Sequence, residues 1–327
     1  MTKLVTIFGG SGFVGRYVAR RMAQEGWRVR VAVRNPNEAM HVRPYGVVGQ
    51  VEPVFCNIRD DASVAAVLGG ADAVVNCVGV LAEVGRNTFE AVQTEGATRI
   101  ARLSAEMGVG QLVHISAIGA DAEAESDYAK TKAAGEAGVV AHFPSAVILR
   151  PSIMFGQEDE FFNRFASMSR FGPVLPVVGA DTMFQPVYVD DVAAAAVMGV
   201  LGQAEAGVYE LGGPDAMSFR DLMGVMLDVV RRRRLVLNIP FFAAKIMAWG
   251  FNIASICSLG IIKAPITKDQ VANLRVDNVV ADGARGFDAL GIRTTAMAAV
   301  LPDYLWRFRP SGQYDAIKES AKNLRNS

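Results

Sequence analysis

Residues 4–15 limit what this chain can fold into more than any other stretch. Leu4-Val-Thr-Ile-Phe8 is short and almost wholly apolar, as a strand buried on both faces requires. Gly9-Gly10-Ser11-Gly12-Phe13-Val14-Gly15 follows without a break. Phe13, Val14, Val18 and Met22 then recur at helical spacing until Gly26 stops the helix. Val29–Val33 reads as the next strand, so the segment is a βαβ unit. Glycine at positions 9, 12 and 15 serves three needs: a tight turn, close backbone approach to a pyrophosphate, and close helix–strand packing. The unpaired N–H groups at the helix start then face the phosphate. Gly9, Ser11, Gly12, Phe13 and Gly15 are therefore candidate dinucleotide-binding residues.

The second strand indicates which dinucleotide. A site for the unphosphorylated cofactor carries Asp or Glu about 20 residues past the glycines, on the ribose 2′-hydroxyl. Here Arg34 stands there, and no acidic residue lies between Glu25 and Glu38. Arg16, just past the third glycine, is a second cation within the same region. Guanidinium matches a 2′-phosphate bidentately, so the expected cofactor is NADPH (NADP).

The remaining pattern extends the same architecture. Val51–Ile58, Ala71–Val78, Gln111–Ser116 and Ala146–Arg150 read as further strands, with helices over 88–107 and 126–141. Such alternation predicts an α/β fold, a Rossmann-type doubly wound parallel sheet. Asn57 and Ile58, at the third strand's end, are placed to bond and pack on the adenine. Gly79 lets the backbone pass close to the cofactor. A smaller, discontinuous C-terminal domain is expected from residues 151–185 and 216–310, closing over the strand ends. The nucleotide domain takes 1–150 with contributions from about 186–215, and 311–327 is a polar tail.

Composition excludes several classes. The 33 Lys+Arg balance 33 Asp+Glu, leaving no cation excess to coat nucleic acid. Hydrophobic residues at 51% against 20% charged exclude a disordered chain. The three cysteines (Cys56, Cys77, Cys257) lack CxxC spacing, and the three histidines (His41, His114, His142) are scattered. Neither a disulfide framework nor a metal site is expected, and a reducing compartment fits. Residues 2–8 are too short an apolar run for a signal peptide.

Five motifs occur in a telling order: GGSGFVG, the strand-end NCVG, Tyr128-Ala-Lys-Thr-Lys132, Ile148-Leu-Arg-Pro151 and Gln185-Pro-Val-Tyr-Val-Asp-Asp-Val-Ala193. Over roughly residues 1–215 the chain resembles the extended or atypical short-chain dehydrogenase/reductase superfamily. The resemblance implies that Tyr128 is the acid/base and that Lys132, one turn on, lowers the phenol's pKa and holds the nicotinamide ribose. It assigns a catalytic Ser/Thr one or two residues past the first serine after the fifth strand. This chain reads Ser116-Ala117-Ile118, so Ser116 is out of register and the expected place is apolar. Gln93 replaces the superfamily's helix asparagine.

A narrower resemblance covers nearly the whole chain. HISAIGAD, Tyr209-Glu-Leu-Gly-Gly-Pro214, Pro265-Ile-Thr-Lys-Asp-Gln-Val271 and Leu274-Arg-Val-Asp-Asn-Val279 are similar to the nucleotide-binding accessory subunits of respiratory complex I. That resemblance implies tightly held, structural NADPH and a non-catalytic, assembly role beside other complex I subunits. It places the protein on the peripheral arm near the membrane, at the cytoplasmic face of a bacterial inner membrane or the mitochondrial matrix side. Thr267-x-x-Gln270 is by itself a capping box that starts a helix. Arg231–Arg234 is a run of four cations, and Ile246–Ile262 is a 17-residue stretch without charge. That stretch falls short of the ~20 apolar residues of a span, so it reads either as a buried helix of the second domain or as an exposed element, with 231–262 resting on a membrane surface or a membrane-protein partner. Two rivals stand beside this reading. One is a free NADP-dependent reductase, epimerase or dehydratase of a small or isoprenoid substrate, using Tyr128 and Lys132. The other is an NADP(H)-responsive regulator.

Overall fold

The computed structural model describes residues 2–244, 246, 267–310 and 312, and the chain divides into two compact units. The first comprises Met1–Ser152, Val189–Gly212 and Val279–Thr294; the second Ile153–Tyr188, Gly213–Asn278 and Thr295–Ser327. Residues 279–294 thus count with the first unit. Their return is tied by the Ala281 N–H, which donates to Glu210 Oε2, and by the Glu210 N–H, which donates to the Arg285 carbonyl. Phe287 and Leu290 are buried there.

The first unit holds one seven-stranded, all-parallel sheet. Its strands are β1 (Leu4–Phe8), β2 (Arg28–Val33), β3 (Val51–Phe55), β4 (Ala73–Asn76), β5 (Gln111–Ile115) and β6 (Val147–Pro151), plus Gly207–Leu211. Spatially β3, β2 and β1 run to one edge, and β4, β5, β6 and Gly207–Leu211 to the other. The order therefore reverses between β1 and β4, and the carboxyl ends on either side of that reversal are where such sheets bind ligands. Sequence periodicity finds six of the strands. The seventh, Gly207–Leu211, lines up on β6 from Gly207 opposite Val147 to Leu211 opposite Pro151. The third strand stops at Phe55, so Cys56–Ile58 lies in the turn beyond it.

Strand residues alternate between two helical layers. Val74 and Leu112 face the cluster that includes Val64, Ala97, Ile100 and Val139. These come from α1's opposite layer: α2 (Asp61–Leu68), α3 (Glu95–Glu106) and α4 (Asp127–His142), with α1 itself spanning Phe13–Gln24. Burial on both faces is why the strands read as continuous Val/Ile/Leu runs, and this is where much of the 51% apolar content goes. The helix expected over 88–107 is interrupted: Glu90–Thr94 is a π-helical segment before α3 begins. A π-segment puts one extra residue in a turn and recurs at functional positions.

The second unit has its own core of Phe155, Phe162, Leu175, Phe184, Phe219, Leu222, Met226 and Leu301. Buried Asp159 accepts from the Tyr304 hydroxyl and from the Gly156 and Asn163 N–H groups. The Thr267–Gln270 capping box forms and opens the helix Lys268–Asn273. Arg231–Arg234 leads into a strand, Leu235–Ile239, that pairs in parallel with Val174–Val178. The rest of the apolar stretch and all but one residue of the 311–327 tail lie outside the described residues, as does Cys257.

Candidate functional site

The glycine turn between β1 and α1 is built by contacts that side chains would prevent. Gly9 has φ +72°, in the left-handed region, and its N–H donates to the Ala32 carbonyl at 3.0 Å. The Gly12 N–H donates back to the Gly9 carbonyl at 2.9 Å. A Cβ on Gly15 would lie 2.3 Å from the Gly9 oxygen and 2.6 Å from Gly10 Cα, so only hydrogen fits. Gly12 caps α1 without a side chain, and no acidic residue sits in the first turn. The helix start therefore presents backbone N–H groups and a positive dipole end to an anion. A pyrophosphate fits this cradle.

On the other side of the reversal, α4 presents its buried face. Lys132 is 5% exposed; its Nζ donates to the Ile115 carbonyl at 3.3 Å and would lie 3.5 Å from a Cβ at Gly79. It also lies 5.9 Å from the centroid of the Tyr128 ring. Burial pushes the Lys132 ammonium down to about 8, with Glu136 and Cys77 pulling partly the other way. Burial likewise drives the Cys77 thiol up to about 12, so it stays protonated. Tyr128 is half-buried, its ring edge-to-face with Phe89 at 5.8 Å. Tyr128, Lys132 and Gly79 are thus brought together beside the glycine turn's sheet edge.

The place expected for the third partner of that chemistry is apolar. Ser116 is 4% exposed, its N–H donates to the Leu149 carbonyl at 2.7 Å, and its Oγ is buried without a partner among the described residues. Two residues on, where the superfamily pattern wants a hydroxyl, stands buried Ile118, its N–H donating to the Pro151 carbonyl. An aliphatic side chain cannot polarise a carbonyl.

Below Ser116, His114 can be assigned a tautomer. The Val78 N–H donates to Asn76 Oδ1 at 3.1 Å, which fixes the amide with Nδ2 toward His114 Nδ1, also at 3.1 Å. His114 Nδ1 must then accept, so the ring carries its proton on Nε2. Burial first, and the Lys132 charge second, lower His114 to about 3. The unfolded chain binds a proton near 6.5 that the folded ring refuses, so this stability is intact above about pH 6.5 and drains as pH falls toward 3. Denaturant titrations at stepped pH should show about 1.4 kcal/mol lost per unit from this group between pH 6 and 4. His114→Gln should remove that slope.

At the adenosine end the candidates separate. Arg34 is exposed just past β2, with no hydrogen bond or ion pair among the described residues. Arg16 instead folds back on the turn: Nε donates to the Gly12 carbonyl at 3.2 Å and Nη2 to the Ser11 carbonyl at 3.1 Å. Asn57 spends its Oδ1 on the backbone N–H of Arg59, 3.2 Å away. Ile58 packs on α3, where a Cβ at Gly96 would come within 2.9 Å of it. Ser11 and Phe13 lie in the turn and first helical residue, as expected.

One element went unnoticed in the sequence. Glu136, four residues past Lys132, is 6% exposed and holds Arg150 through two close contacts, Nε–Oε1 at 2.9 Å and Nη2–Oε2 at 2.6 Å. Arg150 Nη1 also stands 3.5 Å from Glu210. Its signal was available: Tyr128, Lys132 and Glu136 at four-residue spacing share one helix face.

Comparison with known proteins agrees with this geometry. The model of the NAD dependent epimerase/dehydratase family matches residues 5–212. NADH dehydrogenase (ubiquinone) 1 alpha subcomplex subunit 9 from mitochondria of Arabidopsis thaliana is 32% identical, over 94% of this chain and 79% of that one. The mitochondrial NADH-ubiquinone oxidoreductase 40 kDa subunit of Neurospora crassa is 29% identical over 98% of this chain and 83% of its own. Among solved structures, the dTDP-glucose 4,6-dehydratase DesIV of Streptomyces venezuelae, with NAD and TYD bound, superposes with a TM-score of 0.70. At 20% identity, over 95% of this chain and 98% of that one, it shows the fold alone.

Proposed function

This chain belongs to the NAD dependent epimerase/dehydratase family and is a relative of the subunit 9 and 40 kDa subunits of NADH:ubiquinone oxidoreductase; from that premise we propose that it is a complex I accessory subunit whose bound NADPH stabilises the fold without turning over. The observation that carries the reading is Ile118, buried where a carbonyl-polarising hydroxyl would stand. A bound nicotinamide dinucleotide supplies hydride chemistry in relatives that catalyse. Here the glycine turn and the start of α1 would hold its pyrophosphate, Lys132 its nicotinamide ribose, and Arg34 its 2′-phosphate. A ligand that binds only the folded chain adds RT ln(1+[L]/Kd), about 4 kcal/mol at a thousandfold excess over Kd.

Peripheral attachment is part of the proposal. Among the described residues no helix is long and apolar enough to cross a membrane. Leu235, Leu237, Phe242 and Ile246 are 65%, 50%, 70% and 65% exposed, directly after Arg231–Arg234. An apolar edge following cations suits a membrane surface or a membrane-bound partner, at roughly 1 kcal/mol per cation on anionic headgroups.

One preparation tests the whole reading. Purified from mild-detergent membranes, the protein should bring complex I subunits with it and release NADPH on denaturation. Arg34→Asp should lose that nucleotide, with affinity down about 10- to 100-fold, because a charge-assisted pair becomes a repulsion. Unchanged NADPH affinity would remove the cofactor assignment, and a preparation without complex I chains would remove the partner assignment. The rival enzyme keeps one observation in its favour, the adjacency of Tyr128 and Lys132. Steady NADPH oxidation with a carbonyl substrate, lost in Tyr128→Phe, would decide for it.

A further inference from the structure

We propose that the turn at residues 47–50 and the cationic cleft beside it form a docking surface for a protein partner that offers an apolar recess and a carboxylate. The inference rests on the accessory-subunit reading above and names a surface of the first unit through which that attachment is made.

Val48 is 105% exposed, the highest value among the described large apolar residues, and Val47 beside it is 73% exposed. The turn does not require either valine. The Gln50 N–H donates to the Val47 carbonyl at 3.0 Å and Gly49 has φ +79°, so only the third place demands its residue. Proline is the common choice in the second place, where Val48 instead leaves a branched apolar side chain in water. The turn is also held firmly from below. Gln50 Nε2 donates to the Ala23 carbonyl at 2.6 Å and to the Trp27 carbonyl at 3.0 Å. Its Oε1 accepts from the Val47 N–H at 2.9 Å. A Cβ on Gly46 would lie 2.4 Å from that oxygen, so the chain entering the turn packs on the same amide. The valines are thus presented in a fixed position, and a partner has little loop entropy to remove.

Charge gives the second half of the surface. Gly49 and Gln50 also line a small cleft with Leu4, Arg28, Arg30 and Glu52. Arg28 and Arg30 stand two residues apart on β2 and so share one face of the sheet. Arg30 is committed, its Nη1 donating to the carbonyls of Val67 and Gly69. Arg28 is exposed, with no hydrogen bond or ion pair among the described residues. Two guanidiniums therefore meet one carboxylate, Glu52, which stands opposite Arg30 in the strand register. A carboxylate from a partner, set on Arg28, is the complement.

The fold narrows the mode of docking. The cleft lies at the amino-terminal ends of β1 and β2, whereas the glycine turn follows the carboxyl end of β1. A partner seated there leaves the nucleotide site open. β3 is the edge of the sheet, yet Pro53 in its middle has no N–H to offer a further strand. The partner therefore meets side chains. A rigid two-residue knob suits a shaped recess, whereas a bilayer rewards a long apolar face.

The test uses the full-length protein in cells whose own copy is replaced by each variant. Detergent-solubilised membranes are resolved on native gels, and the fraction of the protein in the complex I band is measured. Val48→Asp should lower that fraction about tenfold, because it drives a carboxylate into an apolar recess. Arg28→Glu should lower it about threefold or more and blunt its dependence on salt. Val140→Asp, at a 46% exposed site on α4, is the control and should assemble as wild type does. NADPH affinity and melting temperature should match wild type in all three, since no buried contact is touched. Val48→Asp that stays in the band, or that leaves it with lowered NADPH affinity or melting temperature, would overturn the proposal. So would Arg28→Glu that assembles like wild type at every salt concentration. Two further results would also overturn it by naming another occupant. One is flotation of wild type, but not Val48→Asp, with phosphatidylcholine–cardiolipin vesicles; the other is a wild-type dimer that Val48→Asp converts to monomer. Wild type absent from the complex I band would instead sink the accessory-subunit reading.

Discussion

Gly15→Ala will abolish measurable NADPH binding, a loss of more than about 100-fold, and will lower stability by about 1–3 kcal/mol. The added methyl would meet the Gly9 oxygen at 2.3 Å and Gly10 Cα at 2.6 Å, and both are backbone atoms. No rotamer can relieve that clash. The turn itself cannot slide, because Gly9 is bonded to Ala32 and Gly12 to Gly9. Strain therefore falls on the angle between the turn and α1, which is the angle that aims the N–H groups at the phosphates. Gly224→Ala is the control: nothing lies within 4 Å of its Cβ position in the helix Phe219–Val229. It should leave binding unchanged and add about 0.5–1 kcal/mol of stability. Calorimetric titration and thermal melts of both variants read the contrast. A Gly15→Ala protein that binds NADPH normally would mean the turn is not the phosphate seat.

Arg150→Ala should cost about 3–5 kcal/mol, a large share of the 5–15 kcal/mol that holds a typical domain together. Arg150 on β6 grips Glu136 on α4 through contacts of 2.9 and 2.6 Å, with side-chain exposures of 24% and 8%. Truncating one partner strands the other's charge in a place water reaches poorly. Replacing both together, Glu136→Leu with Arg150→Met, should recover part of the loss, because the helix–strand pair then leaves no stranded charge and only Glu210 loses its cation. Urea melts of the two singles and the double form a cycle whose coupling reads the pair directly. Additive losses would show that the two side chains act independently. Surface pairs such as Arg99 with Asp61 should be near-neutral in the same assay.

Legibility followed the range of the interactions. The glycine turn, its flanking strand and helix, and the Tyr128–Lys132 spacing are local features, and each was read from contiguous residues. The apolar Ile118 was read the same way, by counting from Ser116. Arg16 illustrates where counting stops. Its position beside the third glycine suggests a phosphate contact, and counting does not show that its guanidinium also donates to the carbonyls of Ser11 and Gly12. Asn57 and Ile58 are similar: their neighbours Arg59 and Gly96 engage them in ways no strand-end pattern reveals.

Amino-acid order was enough for the doubly wound half of the molecule, because strand burial, glycine geometry and helix periodicity are properties of runs of neighbouring residues. It was enough, too, for the four-arginine run ahead of an apolar stretch. Folding in three dimensions decided the rest. Residues 279–294 return to the first unit through Glu210, Gln93 joins Val80 to Thr131, and Glu136, Arg150 and Glu210 share a charge network. Each of these pairs residues on different elements, well apart in the chain. Such contacts are set by which helix packs on which strand, and a linear pattern carries no record of that.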